Sequence, residues 1–269
     1  MISIFLGVIT GIVTGIVLSL TGAGGSIIAI PLLIWTLKID LSQATPIALI
    51  AVAISAGIGA VVGLHKGIVR YKAAIYLSCV GALLSPIGIH FSAVLAPWLL
   101  STLLSIILFY ISAKSYIESN SSSVSDKKHP VLQPLCATHA DNSKLAWSAP
   151  CFYALGFSGA ISGFLSGLLG IGGGLIIVPA LKKFTDLLHE SIIATSLMVI
   201  TCTSLSGIFF HALKGSIDIS LTILFSIGTL AGMWTGKYLT QILSLPHKQK
   251  IFALVAACSA IALLSKSIF

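Results

Sequence analysis

The residues best placed to do chemistry are glycines. GAGGSIIAIP at 22–31 and GIGGGLIIVP at 170–179 each set a glycine cluster ahead of an aliphatic run and a proline. Glycine lets backbone approach a ligand with no Cβ in the way. A chain unwound at such a cluster also aims the free N–H groups of the next helix, and the positive end of its dipole, at whatever lies beyond. That is anion-binding chemistry. Gly22, Gly24, Gly25 and Ser26 in the first cluster, and Gly170, Gly172, Gly173 and Gly174 in the second, are the candidate substrate contacts. Thr45, Thr195 and Ser196 offer hydroxyls near the starts of later helices, where capping is the competing role. His211, in FFHALKG, is set either to meet substrate or a proton or to serve structure. Lys66 and Lys214, each followed by glycine, either draw anions in or snorkel at helix ends.

Other chemistries find less support. No strand precedes either glycine cluster, so neither reads as a dinucleotide fingerprint. All seven acidic residues fall in or beside loops, which leaves no span with the carboxylate that a proton relay or cation site needs. GFSG at 156–159 matches the G-x-S-G of an intramembrane serine protease, with Ser158 as nucleophile and His211 as base; that pair requires hydrogen-bond reach. The five cysteines lack C-x-x-C spacing and four lie in apolar runs, so they read as small core residues rather than a disulfide framework. Neither they nor His129 and His139 form a metal-ligand pattern, and no cofactor is implied.

The elements that must carry these residues follow from composition. Hydrophobic residues make up 57% of 269 and charged ones 8%, too few charges to cover a water-facing surface. Runs at 2–20, 44–64, 73–95, 99–113, 151–169, 191–213, 219–236 and 251–264 are nearly free of charge, and most approach the ~20 residues of a spanning helix. An all-α polytopic membrane protein is expected, in the cytoplasmic (inner) membrane. The first run lacks a basic region and a cleavage site and is read as retained. A net charge of +8 sits in the gaps between runs, which argues for positive-inside orientation and against nucleic acid. Residues 118–148, rich in Ser, Pro and charge, read as a flexible cytoplasmic linker between a first membrane repeat, 1–117, and a second, 149–269.

Shifting the second half back by 148 residues superposes Gly11 on Gly159, Gly15 on Gly163, Gly22 on Gly170, Pro31 on Pro179 and Lys66 on Lys214. Duplicated halves are common in secondary transporters, where the repeats meet around a midplane site. Glycines at four-residue spacing, Gly7, Gly11, Gly15 and Gly159, Gly163, Gly167, lie on one helix face and read as packing. The stretch from Gly25 to Lys38 spans roughly 18 Å as helix, short of a core ~30 Å thick. It and its counterpart after Gly174 are expected as half-helices, entered through unwound glycines and interrupted or strained at Pro31 and Pro179. Eight to ten membrane segments result. If the half-helices dip and return, four crossings per half leave the halves parallel; if each completes a crossing with the first helix, the halves are inverted.

The series G-x-G-G-G, aliphatics, V-P-x-L, A-T-S-L and H-x-x-x-G, here Gly170 to Gly174, Val178, Pro179, Leu181, ATSL at 194–197, His211 and Gly215, resembles the sulfite exporter TauE/SafE family. The first half carries a looser copy: Ser26 replaces the third glycine, ATPI replaces ATSL and Gly63 stands where the histidine would be. The resemblance implies a permease moving small anions such as sulfite or sulfonates by alternating access, with self-association left open. The competing readings are the serine protease and a membrane protein with a purely structural role.

Overall fold

The computed structural model describes residues 2–22, 25–121, 136, 148–212, 218–242 and 245–268. Ten helices follow one another: α1 (Ile2–Thr21), α2 (Gly25–Leu37), α3 (Leu41–His65), α4 (Tyr71–Val94), α5 (Pro97–Ser121), α6 (Ala149–Leu169), α7 (Gly174–Phe184), α8 (His189–Ala212), α9 (Ile219–Ile242) and α10 (Leu245–Ile268). Seven, α3 to α6 and α8 to α10, are long and apolar enough to cross a membrane, while α1 from Leu6 to Thr21, α2 and α7 are shorter. This is a multi-pass membrane protein.

Glycine pairs set the frame. In α1, a Cβ on Gly11 would stand 3.0 Å from the Cα of Gly228, and one on Gly15 would fall 2.7 Å from the backbone nitrogen of Met233. Gly159 and Gly167 of α6 meet Leu77 and Ser85 of α4 in the same way, and Gly163 lies directly on Gly81. Missing side chains thus let two pairs of backbones touch, the packing role expected of the four-spaced glycines. In both pairs the contacting numbers rise together, so α1 runs parallel to α9 and α6 parallel to α4.

The other two pairs are antiparallel. Gly57, Gly59 and Gly63 of α3 face Thr201, Leu197 and Ala194 of α8 in descending order. Ser112 and Ser115 of α5 donate to the carbonyls of Ala253 and Gln249 on α10, at 2.7 and 3.2 Å. Since α3 and α8, and likewise α5 and α10, hold the same place in their halves, the halves run in opposite senses. Tracing directions makes α1 and α2 one hairpin that enters from the end holding the chain termini and returns to it; α3, α4 and α5 then cross. From the opposite end, the linker end, α6 and α7 enter and return before α8, α9 and α10 cross.

Inversion therefore coexists with short segments that dip and return, a combination the two sequence alternatives kept apart. The first helix of each half was counted there as a crossing of its own, whereas it is one arm of a hairpin. Three crossings per half is an odd number, and that inverts the second half.

The hairpins fill the middle. Ile27, Ile30 and Leu33 of α2 pack with Ile47, Leu104 and Phe225 in one core cluster, while Ile177 and Leu181 of α7 pack with Leu77, Leu155 and Val199 in another. The helices break at the glycines and run on through the prolines: Pro31 lies inside α2 and Pro179 inside α7. A proline well inside a helix forfeits a hydrogen bond, and burial on nearly every side of α2 holds the helix together regardless.

Two details of the 118–148 segment differ from expectation. Helix α5 continues to Ser121. Cys136 and Cys151, at the start of α6, are buried as expected of core residues, but they are joined by a disulfide, which the sequence reading did not expect. The Cys136 N–H donates to the carbonyl of Phe184 at 3.0 Å, in a bridge to Thr185, and this docking beside α7 brings the sulfurs together. Sequence spacing carries no sign of it. The remaining residues between 122 and 147 lie outside the described ones, as does the expectation of flexibility.

Candidate functional site

The unwound turns of the two hairpins meet in the protein interior. Gly22, Gly170, Gly172 and Gly173 all have φ between 68° and 74°, the left-handed region that L side chains enter only with strain. Gly22, Gly25 and Ser26 on one side and Gly170 to Gly173 on the other are buried. Ser26 Oγ donates to the carbonyl of Ile171, joining the first hairpin to the second. Gly24 lies outside the described residues.

Hydroxyls hold the carbonyls of these turns. Thr203 Oγ1 reaches the Gly172 carbonyl at 2.9 Å, Ser162 Oγ donates to that of Gly173 at 2.7 Å, and Ser196 Oγ reaches that of Gly22 at 3.0 Å. With Ser26 on Ile171, four turn carbonyls are engaged. The backbone N–H groups of Ile171, Gly172 and Gly173 have no acceptor among the described residues. The first N–H groups of α2 and α7 have no intrahelical acceptor either, as at any helix start. Ser204 adds a further donor. Its side chain is fully buried, its hydroxyl has no partner among the described residues, and Oγ lies 3.0 Å from where a Cβ on Gly172 would stand. At the crossing, then, the carbonyls of Gly22, Ile171, Gly172 and Gly173 are engaged by hydroxyls, while the neighbouring amides and the Ser204 hydroxyl are open donors.

Of the sequence candidates, Ser26, Ser196 and the described glycines come together here. Thr45 lies against Gly170 through its methyl group, while its hydroxyl donates back to the carbonyl of Leu41 at 2.8 Å. Thr195 turns elsewhere and accepts the N–H of Arg70 at 3.0 Å, which fastens the α3–α4 turn to α8. His211 lies seven residues beyond Ser204, about 10 Å further along α8. Lys66 follows α3 and is exposed; Lys214 lies outside the described residues.

Three contributors escaped sequence reading: Ser162, Thr203 and Ser204. The signal was present in TCTSLSG at 201–207, hydroxyls in mid-span, where a polar group needs a partner. Nothing in one sequence said which carbonyls they would meet.

The protease geometry is absent. Ser162 and Thr203 hold neighbouring carbonyls of one turn and so mark a common level on α6 and α8, which run the same way. Ser158 lies one turn to one side of that level and His211 eight residues to the other, an axial separation of roughly 18 Å. The Ser158 hydroxyl is bonded to the carbonyl of Ala154 at 2.7 Å.

Comparison with known proteins agrees with this architecture. A family model described as Sulfite exporter TauE/SafE matches residues 7–263. A probable membrane transporter protein of Xylella fastidiosa (strain 9a5c) is 26% identical over 93% of this chain and 90% of its own length. Another of Haemophilus influenzae is 36% identical over 38% of this chain, and the probable membrane transporter protein YunE of Bacillus subtilis is 33% identical over 34%. The matched stretches span 39% and 36% of the Haemophilus and Bacillus proteins. No solved structure matches.

Proposed function

The chain belongs to the sulfite exporter TauE/SafE family, a family of membrane transporters and not of enzymes, and we propose that its cargo is a small oxyanion or organosulfur anion bound where the two hairpins cross. One observation carries this reading: hydroxyls occupy the carbonyls of Gly22, Ile171, Gly172 and Gly173, so the site presents amides and the Ser204 hydroxyl. An anion accepts such bonds, and charge-assisted bonds are roughly twice as strong as neutral ones. A cation would find no carboxylate in either glycine cluster.

Opposed halves suit alternating access. Each contributes one hairpin tip, and rocking of one half against the other exposes the crossing to each face in turn. The α3–α8 contact through Gly57, Gly59 and Gly63 is one seam between halves, alongside α1–α9, α4–α6 and α5–α10.

The test is sulfite and alkylsulfonate flux in proteoliposomes, for the wild type, Gly172→Ala and Ser158→Ala. A Cβ at position 172 would stand 3.0 Å from Ser204 Oγ and 3.3 Å from Ser26 Oγ, in a left-handed conformation that costs about 1–2 kcal/mol for alanine. Flux is expected to fall at least tenfold with insertion intact, while Ser158→Ala transports normally. Wild-type flux in Gly172→Ala would remove the crossing from the transport path.

A further inference from the structure

A cavity of about 820 Å³ opens at the linker end, between α5, α6, α7 and α10. Lys114, Lys182, Lys183 and Lys248 stand around it with His189. Among the described side chains no acidic residue lines it, and the nearby carboxylates of Asp186 and Glu190 are exposed and outside the lining. Beneath the lysines the walls turn apolar, with Ile107, Ile161, Leu165 and Ile176 leading inward to the last turn of α1. Helices α5 and α6 barely meet along this side, and Tyr110 and Phe157 at the gap are exposed, so the cavity also faces the bilayer.

Positive-inside orientation explains lysines at this end but not their gathering from three helices around one apolar well. A bare oxyanion of a few atoms would leave those walls unused, and an uncharged hydrocarbon would leave the lysines unused. We propose that the cavity binds an amphiphilic anion, its acidic headgroup among Lys114, Lys182, Lys183 and Lys248 and its aliphatic tail along Ile107, Ile161 and Leu165. Basic pockets between membrane helices hold anionic lipid headgroups by this chemistry, and each buried methylene adds roughly 0.8 kcal/mol. The occupant has two sources, an anionic phospholipid of the facing leaflet or a soluble alkylsulfonate.

The test uses full-length protein in phosphatidylcholine nanodiscs and reads equilibrium binding, not flux. Titrating methane-, butane- and octanesulfonate by calorimetry, with empty nanodiscs subtracted, reads the tail. Native mass spectrometry after incubation with phosphatidylglycerol reads the lipid source. The proposal expects octanesulfonate to bind more than tenfold tighter than methanesulfonate, or phosphatidylglycerol to be retained over phosphatidylcholine. Affinity for octanesulfonate, or for phosphatidylglycerol, should weaken about a hundredfold in Lys182→Gln/Lys183→Gln/Lys248→Gln, a surface variant that leaves the core untouched. Octanesulfonate binding marks a soluble occupant, and phosphatidylglycerol retention alone marks a lipid. Equal affinity across the chain-length series with no lipid preference, or binding unchanged in the triple variant, overturns the proposal. Ser204→Ala, at the crossing, should leave this binding as it is, which keeps failure here distinct from failure of the transport reading.

Discussion

A buried hydroxyl without a partner costs about 1–3 kcal/mol, and Ser204 bears that cost beside Gly172. Replacing it by alanine removes the orphan and leaves its neighbours' hydrogen bonds alone. Thermal stability should stay level or rise. If an anion takes the proton of Ser204, however, the loss of a bond to a charged group, about 1.5–3 kcal/mol, raises the KM for flux at least tenfold. Stability rising while affinity falls separates a ligand contact from a packing residue, and a fall in both would make Ser204 structural. Thr203→Ala should differ. Its hydroxyl holds the Gly172 carbonyl, so its removal frees an acceptor at the crossing and lowers stability as well as flux. Of these side chains Ser26 was legible in the sequence through its place in the first glycine cluster, and Ser196 through its hydroxyl near the start of a later helix. Thr203 and Ser204 were not, because the α8 turn that meets a given loop is decided by tertiary packing.

Helices in this chain are positioned by absent side chains as much as by those present. The α4–α6 contact shows the extreme: a Cβ on Gly163 would fall on the backbone of Gly81. Gly163→Ala must therefore push α6 from α4, and α6 carries Ser162, which holds the second unwound turn. Overpacking of this kind costs about 1–3 kcal/mol. The expected result is a lower melting temperature together with reduced flux, whereas Gly7→Ala, whose added Cβ would meet only the Leu221 side chain at 3.9 Å, should change neither. Glycine spacing predicted that these faces pack, since four-residue periodicity is local. Which helix each face meets was not written in the spacing, because the α1–α9 and α4–α6 partners come from opposite halves. The prolines were misread for a related reason: an isolated helix yields at proline, but α2 is encased by neighbours and the glycines before it offer the softer place to turn.

The sense of the whole molecule joins its two least expected features, the inverted halves and the disulfide. Inversion brings the α3–α4, α7–α8 and α9–α10 turns to one end together with the end of α5. Lys66, Arg70, Lys72, Lys114, Lys182, Lys183, Lys237, Lys248 and Lys250 collect there, against Lys38 at the α2–α3 turn and Lys266 in the last turn of α10. Had the halves been parallel, half of these charges would face the other way, so charge bias and antiparallel packing tell one story. We propose, from the positive-inside rule, that the basic end faces the cytoplasm. The Cys136–Cys151 pair belongs to the same end, beside the C-terminus of α7. Cytosolic thiols are kept reduced, so the orientation predicts that this pair exists as thiols in growing cells and closes on oxidation after lysis. Because both cysteines are buried, intact cells denatured directly into membrane-permeant N-ethylmaleimide should then show both labelled without added reductant. In purified protein, closing the bond should raise stability by up to about 3 kcal/mol for a separation of 15 residues, read as a melting-temperature difference with and without reductant. A pair that resists permeant reagent in cells until a reductant is added would place the basic end outside and reverse the direction in which the lysine-rimmed cavity opens.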